Sequence, residues 1–130
     1  MVSFDCSCGS TFFLRGHLWV VTTDASNSPE NVVIVSLTTK RQNSDTTVTL
    51  TSGNHGFIKH DTVVNYADAR IVSKKSIIQR VHDRDFEPSD PFTIDLVKKI
   101  QQGLLNSPYT PKEVKKFYSS KTEPPPQKSN

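Results

Sequence analysis

Two kinds of hydrophobic pattern divide the chain. Through its first two thirds, apolar residues either alternate with polar ones or form short β-branched and aromatic runs, which is typical of strands. The run from Asn31 to Thr38 is apolar on both faces, so it is predicted to be a central strand. The other predicted strands are Phe12 to Thr23, Asp45 to Thr51, a short one at Phe57-Ile58, and Val63 to Ala67 with Arg70 to Ser73, the last two either separate or one broken strand. Turns without an intervening helix join them, which predicts a small antiparallel β-barrel.

A helical period replaces the strand pattern after the predicted barrel. Ser89 or Asp90 can cap a first helix, with Pro91 in its first turn, where the missing N–H carries no cost. Thr110-Pro111-Lys112-Glu113 is a capping box that predicts a second helix ending near Ser119. The predicted apolar face of the first helix consists of Ile94, Val97, Ile100, Leu104 and Leu105.

The expected organisation is a single mainly β (α+β) domain, which suits a chain of 130 residues. An irregular segment at 1–11 precedes the barrel at 12–80, and a helical arm at 81–119 follows it. The polar end at 120–130, which contains three consecutive prolines, is expected to be disordered because it cannot bury a core.

Positive charge is concentrated in the second half of the chain. Residues 1–65 contain four Lys or Arg and five Asp or Glu, whereas residues 66–130 contain twelve and eight, for a net charge of +3. This asymmetry favours a polyanionic partner through phosphate neutralisation. An ordinary solvated basic face is the alternative.

Cys6 and Cys8 are the two cysteines, and their spacing is too short for a structural disulfide or a Cys-x-x-Cys motif. Without a second ligand pair, the sequence predicts no metal site and no cofactor. It shows neither a secretory signal pattern nor a run of apolar residues long enough to cross a membrane, so a cytoplasmic protein is expected.

Several apolar segments follow one another at strand-like spacing. They are His17 to Thr23, Val33 to Thr39, Thr47 to Leu50 and, more loosely, Val63 to Arg70. Their order resembles the MazF/PemK toxin family over residues 16–78. Members of that family have an SH3-like β-barrel and cleave single-stranded RNA without a metal ion. His17 stands where the family has an arginine, and Ser36 where it has a proline.

The resemblance implies an endoribonuclease, whose chemistry needs a base, an acid and donors for the charged phosphorane. Histidine suits the proton transfers because its pKa lies near neutrality, and hydroxyl groups or cations suit the phosphorane. His17 begins one predicted strand and Thr38 and Thr39 end another. We therefore predict that His17 is base or acid, that Thr38 donates to a phosphate oxygen and that Thr39 contacts substrate. Alternatively, His17 is an ordinary strand-edge residue and the threonines only turn the chain.

A second group of candidate residues follows within a short stretch. It offers imidazoles, an ammonium group, an amide, an aromatic ring and a guanidinium, which are the side chains that single-stranded RNA binding uses. The predicted substrate-binding residues here are His55, Lys59, His60, Asn65, Tyr66 and Arg70. The alternative is a surface loop packed by Phe57 and Ile58, with Arg70 paired to an aspartate.

Two functions are compatible with this sequence. One is a toxin-like endoribonuclease acting on single-stranded RNA, for which the resemblance implies a homodimer and an antitoxin partner. The other is a non-catalytic SH3-like module that binds nucleic acid or a partner protein. Cleavage of RNA by the protein separates the two.

Overall fold

The computed structural model describes residues 6–22, 31–51, 53, 56 and 58–122. This part of the chain forms a curled six-stranded antiparallel sheet with helices, so the prediction of a mainly β, barrel-like domain is confirmed. The strand order is β4-β5-β3-β2-β1-β6. The elements in chain order are β1 (Thr11–Leu14), β2 (His17–Val21), β3 (Asn31–Thr39), β4 (Thr49–Leu50), β5 (Thr62–Ser73), α1 (Lys74–His82), β6 (Glu87–Ser89), α2 (Ile94–Asn106) and α3 (Lys112–Thr122).

The first predicted strand is in fact a hairpin. Its turn lies at Arg15 and Gly16, whose φ angles of +54° and +81° suit a tight reversal between right-twisted strands. Glycine adopts such an angle without steric cost. The reversal pairs Leu14 with His17 and places His17 at the beginning of β2. The prediction of one continuous strand was wrong because it passed over this turn, and its last residue, Thr23, lies outside the described residues.

The long pairing of β3 with β5 bends the sheet. Ile34 lies opposite Arg70 and Ser36 opposite Asn65, so four residues of β5 face the single Val35 of β3. An unequal count of this kind bends and twists the longer strand. The two segments predicted at 63–67 and 70–73 are therefore one strand, interrupted by a bulge.

Helices cover opposite faces of the sheet. On one face, α2 and Val114 of α3 pack on a large apolar cluster. Its strand residues include Leu18, Val20, Val33, Val35, Val64 and Tyr66. On the other face, Ile77 of α1 and Phe86 pack against a smaller cluster that includes Phe12, Trp19, Val21, Val32 and Ile34. Because α1 covers only part of this second face, the end of the sheet that carries His17 and Thr38 is left accessible.

Three further boundaries differ from prediction. α1 was missed, because only Ile77 is buried in it and the periodic signal is weak. The strand expected at Asp45 to Thr51 is reduced to Thr49–Leu50. Ile58 is buried but lies in no strand, and Phe57 is outside the described residues.

The predicted helical arm also needs correction. Residues 87–89 pair with β1, and α2 begins later, capped by the Thr93 hydroxyl rather than by Ser89 or Asp90. Ile94 is 73% exposed and so does not belong to the buried face. α3 begins at the predicted capping box and continues to Thr122. Residues 120–122 of the predicted tail are therefore helical, and the rest of that tail, 123–130, lies outside the described residues.

Candidate functional site

A pocket of about 350 Å³ brings together residues from three parts of the sequence. We call it the histidine pocket. It lies where β2 begins, where β3 ends and where the chain enters β5. The functional side chains that line it are His17, Thr38, Thr39, Arg41, Lys59 and His60. Two of these segments are sheet neighbours: Trp19 pairs with Ser36, and extending that register by two residues sets His17 across from Thr38.

His17 is held by one nitrogen of its ring. Its Nδ1 lies 3.3 Å from the backbone oxygen of Leu37, in the adjacent strand. Since a carbonyl oxygen only accepts, this contact places the proton of neutral His17 on Nδ1 and leaves Nε2 as an acceptor. The arrangement suits a general base, because the free nitrogen carries a lone pair and the ring is oriented by the sheet.

His60 is linked to the end of β3 by a side-chain hydrogen bond. Its Nε2 lies 2.9 Å from Thr39 Oγ1. The turn around it is anchored by two further bonds: the Thr62 hydroxyl donates to the His60 backbone oxygen at 2.9 Å, and the Lys40 N–H donates to the Asp61 backbone oxygen at 3.0 Å. Together with buried Ile58, these bonds hold the imidazole at a defined position beside the strand.

The pocket is electropositive. Lys59 and Arg41 both line it, and its lining includes no carboxylate. In the described part of the chain, neither cation takes part in an ion pair. Two cations that form no ion pair in the described part of the chain, next to two imidazoles, form a surface suited to a phosphate group.

The structure therefore brings together five of the predicted site residues: His17, Thr38, Thr39, Lys59 and His60. Arg41 was not among the predicted site residues. The signal was the pair of adjacent cations, Lys40 and Arg41, which directly follows the candidate residues Thr38 and Thr39. His55, the other histidine predicted to bind substrate, lies outside the described residues.

Arg70 does not line the histidine pocket. Its guanidinium donates to Asp68 at 3.0 Å and lies over the Trp19 ring, 5.2 Å from the ring centre. Asp68 also accepts a 3.0 Å hydrogen bond from the Ser36 hydroxyl. The alternative expected for Arg70, pairing with an aspartate, is thus confirmed, and the structure does not bring this predicted substrate-binding residue to the pocket of His17.

Tyr66 also requires correction, because its ring is completely buried. Its hydroxyl donates to the Ile100 backbone oxygen in α2 at 2.8 Å. A ring enclosed between sheet and helix cannot stack on a base, so the substrate-binding role predicted for Tyr66 is wrong. Sequence alone could not distinguish this outcome, since the bulge of β5 decides which side chains of that stretch point inward.

A second pocket, of about 260 Å³, adjoins the first at Thr38. We call it the amide pocket, because Asn43 and Asn65 line it. Its other walls include Asp45 and the exposed ring of Tyr109, which follows α2. Asn65, a predicted substrate-binding residue, thus lies beside the histidine pocket, separated from it by Thr38.

Neither cysteine lines the histidine pocket. Among residues 6–22, 31–51, 53, 56 and 58–122, no cluster of three or more His, Cys, Asp or Glu side chains could hold a metal ion. Cys6 is buried in the smaller apolar cluster, and the Cys8 sulfur lies 3.3 Å from Gln101 Nε2. The same described residues include no helix long and apolar enough to cross a bilayer.

Comparison with known proteins adds no family to this description. No protein-family model, curated protein or solved structure matches the chain. The chemistry of the two pockets is therefore the basis for proposing a function.

Proposed function

We propose that this protein is an endoribonuclease that cleaves single-stranded RNA without a metal ion, as the resemblance to MazF/PemK toxins implies. The observation that supports it is the histidine pocket, in which two imidazoles, two cations and three threonine hydroxyl groups share one accessible cavity. Each class of group required for metal-independent cleavage is represented there.

The reaction is a transesterification followed by release of two fragments. A base removes the 2′-hydroxyl proton, and the resulting oxygen attacks the adjacent phosphorus. The bond from phosphorus to the 5′-oxygen breaks, and an acid supplies the proton that the leaving oxygen needs. The products are a 2′,3′-cyclic phosphate and a 5′-hydroxyl end, so one proton is taken up and one is given back.

His17 is assigned as the base and His60 as the acid. The contact between His17 Nδ1 and the Leu37 oxygen leaves Nε2 ready to accept a proton. Protonated His60 can donate from Nδ1, while the hydrogen bond between its Nε2 and Thr39 orients the ring before substrate arrives. Lys59 and Arg41 stabilise the charged phosphorane, and the Thr38 hydroxyl donates to a phosphate oxygen.

A non-catalytic RNA-binding module is the second candidate. It is favoured by one departure from the family pattern, since His17 replaces an arginine that the family uses in catalysis. The same cations and hydroxyl groups would bind a phosphate whether or not it is cleaved. In the nuclease interpretation, the resemblance further suggests a homodimer, an antitoxin partner and action in the cytoplasm.

The test compares the native protein with His17→Ala and His60→Ala on a labelled single-stranded RNA in EDTA. The matched control is His82→Ala, because the His82 side chain is 81% exposed at the end of α1 and lines neither pocket. We expect each pocket variant to lose at least about 100-fold in cleavage rate, as for removal of a general acid or base, and the control to keep the native rate.

The pH profile gives a second measure. A base and an acid that must be in opposite protonation states give a bell-shaped dependence of the cleavage rate, and each alanine variant should remove one limb. If the native protein binds the RNA and leaves it intact at every pH, the nuclease proposal is wrong and the binding module is correct.

A further inference from the structure

We infer that the amide pocket is a nucleobase subsite, which selects the nucleotide beside the phosphate held in the histidine pocket. This inference deepens the proposed function and rests on it for the identity of the ligand as RNA. The observation that suggests it is the sharing of Thr38, which lines both cavities. A nucleotide whose phosphate contacts Thr38 from one side has its base next to the amide pocket.

The position of the pocket follows from strand register. Thr38 pairs with Val63, and Ser36 pairs with Asn65, so Thr38, Val63 and Asn65 share one face of the β3-β5 ladder. Their side chains line the amide pocket from that face. Asn65 therefore lies on β5 two residues after Val63, the residue that pairs with Thr38.

The lining chemistry suits a neutral base better than a phosphate. The pocket contains the Asp45 carboxylate and no lysine or arginine, so a second phosphate would be repelled. Asn43 and Asn65 each offer a donor and an acceptor, the combination that base edges require. Among the described residues, neither amide side chain has a hydrogen-bond partner, so both are available to a ligand.

The ring of Tyr109 supplies a stacking surface. It is 59% exposed and forms one wall of the pocket, in contrast to the enclosed ring of Tyr66. Stacking on an aromatic side chain is the usual way in which proteins hold an unpaired base. The stacking residue expected in the 55–70 stretch is thus replaced by one from the loop after α2.

A hydrogen-bond relay fixes this wall in place. The Tyr109 N–H donates to the Ser107 hydroxyl at 3.1 Å, and that hydroxyl donates to Asp45 at 2.6 Å. Asp45 also accepts from the Thr47 N–H and hydroxyl, at 2.9 Å and 2.6 Å. The relay joins the loop that carries Asn43 to the loop that carries Tyr109. The pocket is therefore formed before a base enters it, which lowers the entropic cost of binding.

The experiment measures RNA binding and cleavage for Tyr109→Ala, Tyr109→Phe and Asn65→Ala. Binding is measured in the His17→Ala background, with a fluorescent oligonucleotide randomised at its four central positions. Ile94→Ala is the control, since Ile94 is exposed and lines neither pocket. We expect Tyr109→Ala to weaken binding about tenfold, the typical loss of one stacked base, while Tyr109→Phe and the control bind as the parent does. Asn65→Ala should change base preference at one position of the sequence profile.

The outcomes separate this inference from the proposed function. If the native protein cleaves RNA, and if the Tyr109→Ala and Asn65→Ala variants both keep its affinity and its sequence profile, the base subsite is wrong and the nuclease proposal stands. If RNA is bound but never cleaved, and Tyr109→Ala weakens that binding, the subsite stands and the nuclease is wrong. In a further experiment, each of the four free nucleosides is added while NMR follows the side-chain amide signals of Asn43 and Asn65. A shift of these signals supports the subsite, and the absence of a shift with every nucleoside overturns it.

Discussion

The Tyr66 hydroxyl donates a 2.8 Å hydrogen bond to the Ile100 backbone oxygen and so joins the centre of β5 to the centre of α2. The contact is possible because Gly103, one turn further along α2, has no side chain. A Cβ atom there would lie 2.6 Å from the Val48 methyl group and closer still to the Tyr66 hydroxyl. This close approach of helix and sheet is the basis of two predictions.

Gly103→Ala should destabilise the protein although alanine is the better helix former. Helix propensity would favour alanine by about 1 kcal/mol, but overpacking of a fully formed core typically costs about 1–3 kcal/mol, and here both neighbours are buried. We expect a lower urea midpoint with an unchanged slope. Gly53→Ala is the control, since nothing lies within 4 Å of a Cβ at that position. Equal stability of the two variants would contradict the prediction.

Tyr66→Phe should cost about 1 kcal/mol at neutral pH, the usual contribution of one buried hydrogen bond. Burial, assisted by the negative charge of Asp45, raises the pKa of Tyr66 above its ordinary value of 10.0. A raised pKa means that this stabilisation is complete below pH 10.0 and is lost as the pH rises through the higher folded-state value. The stability difference between native protein and variant, measured by urea unfolding, should therefore shrink as the pH rises above 10.0 toward the folded-state pKa. A difference that stays constant would contradict this account.

Asp45→Asn should make the protein less sensitive to acid. Burial by itself would raise the pKa of Asp45, but hydrogen bonds from Ser107 and Thr47 outweigh it and the pKa lies below its ordinary value of 3.8. A lowered pKa gives stability that is present above pH 3.8 and is lost as the pH falls through the folded-state value. Since solvent screens this site, we expect a loss below about 1 kcal/mol at neutral pH. Acid unfolding followed by circular dichroism should be steeper for the native protein than for Asp45→Asn, and identical curves for the two proteins would contradict the prediction.

Arg70→Ala should disturb Trp19 and leave the proposed cleavage intact. The guanidinium covers the ring of the chain's one tryptophan, and an exposed contact of this kind contributes about 0.5–1 kcal/mol. Its removal should admit water to the ring and shift the fluorescence emission to longer wavelength. The cleavage rate should not change, because Arg70 does not line the histidine pocket. The control is Lys98→Ala, because the Lys98 side chain is exposed on α2. A loss of cleavage in Arg70→Ala but not in Lys98→Ala would show that Arg70 contacts substrate.

Much of the architecture could be predicted from local pattern. The doubly apolar run of β3 requires burial on both faces, and the capping box at residues 110–113 places the beginning of α3. By contrast, α1 was missed because one buried residue, Ile77, gives too little periodicity to detect. The β1-β2 hairpin was missed because its turn has only two residues, of which only Gly16 is a typical turn former.

The candidate site was predictable as a set of residues and only partly as an arrangement. The residue types at positions 17, 38, 39, 59 and 60 follow from the sequence, because histidine, hydroxyl and ammonium groups have chemistry of their own. Whether they meet depends on the register of β2, β3 and β5, and the same register turns Tyr66 into the core and Arg70 toward Trp19. The role of Tyr109 could not be predicted, since it depends on where α2 ends relative to the loop of Asp45.

The amino-acid sequence by itself determined that this protein is mainly β, that its strand ends carry histidines and hydroxyl groups, and that positive charge accumulates in its second half. These properties follow from local periodicity and side-chain chemistry, which need no knowledge of distant contacts. Only the tertiary structure decided which of those groups share a pocket, because a bulge in β5 and the packing of α2 set side-chain direction over long separations in the chain.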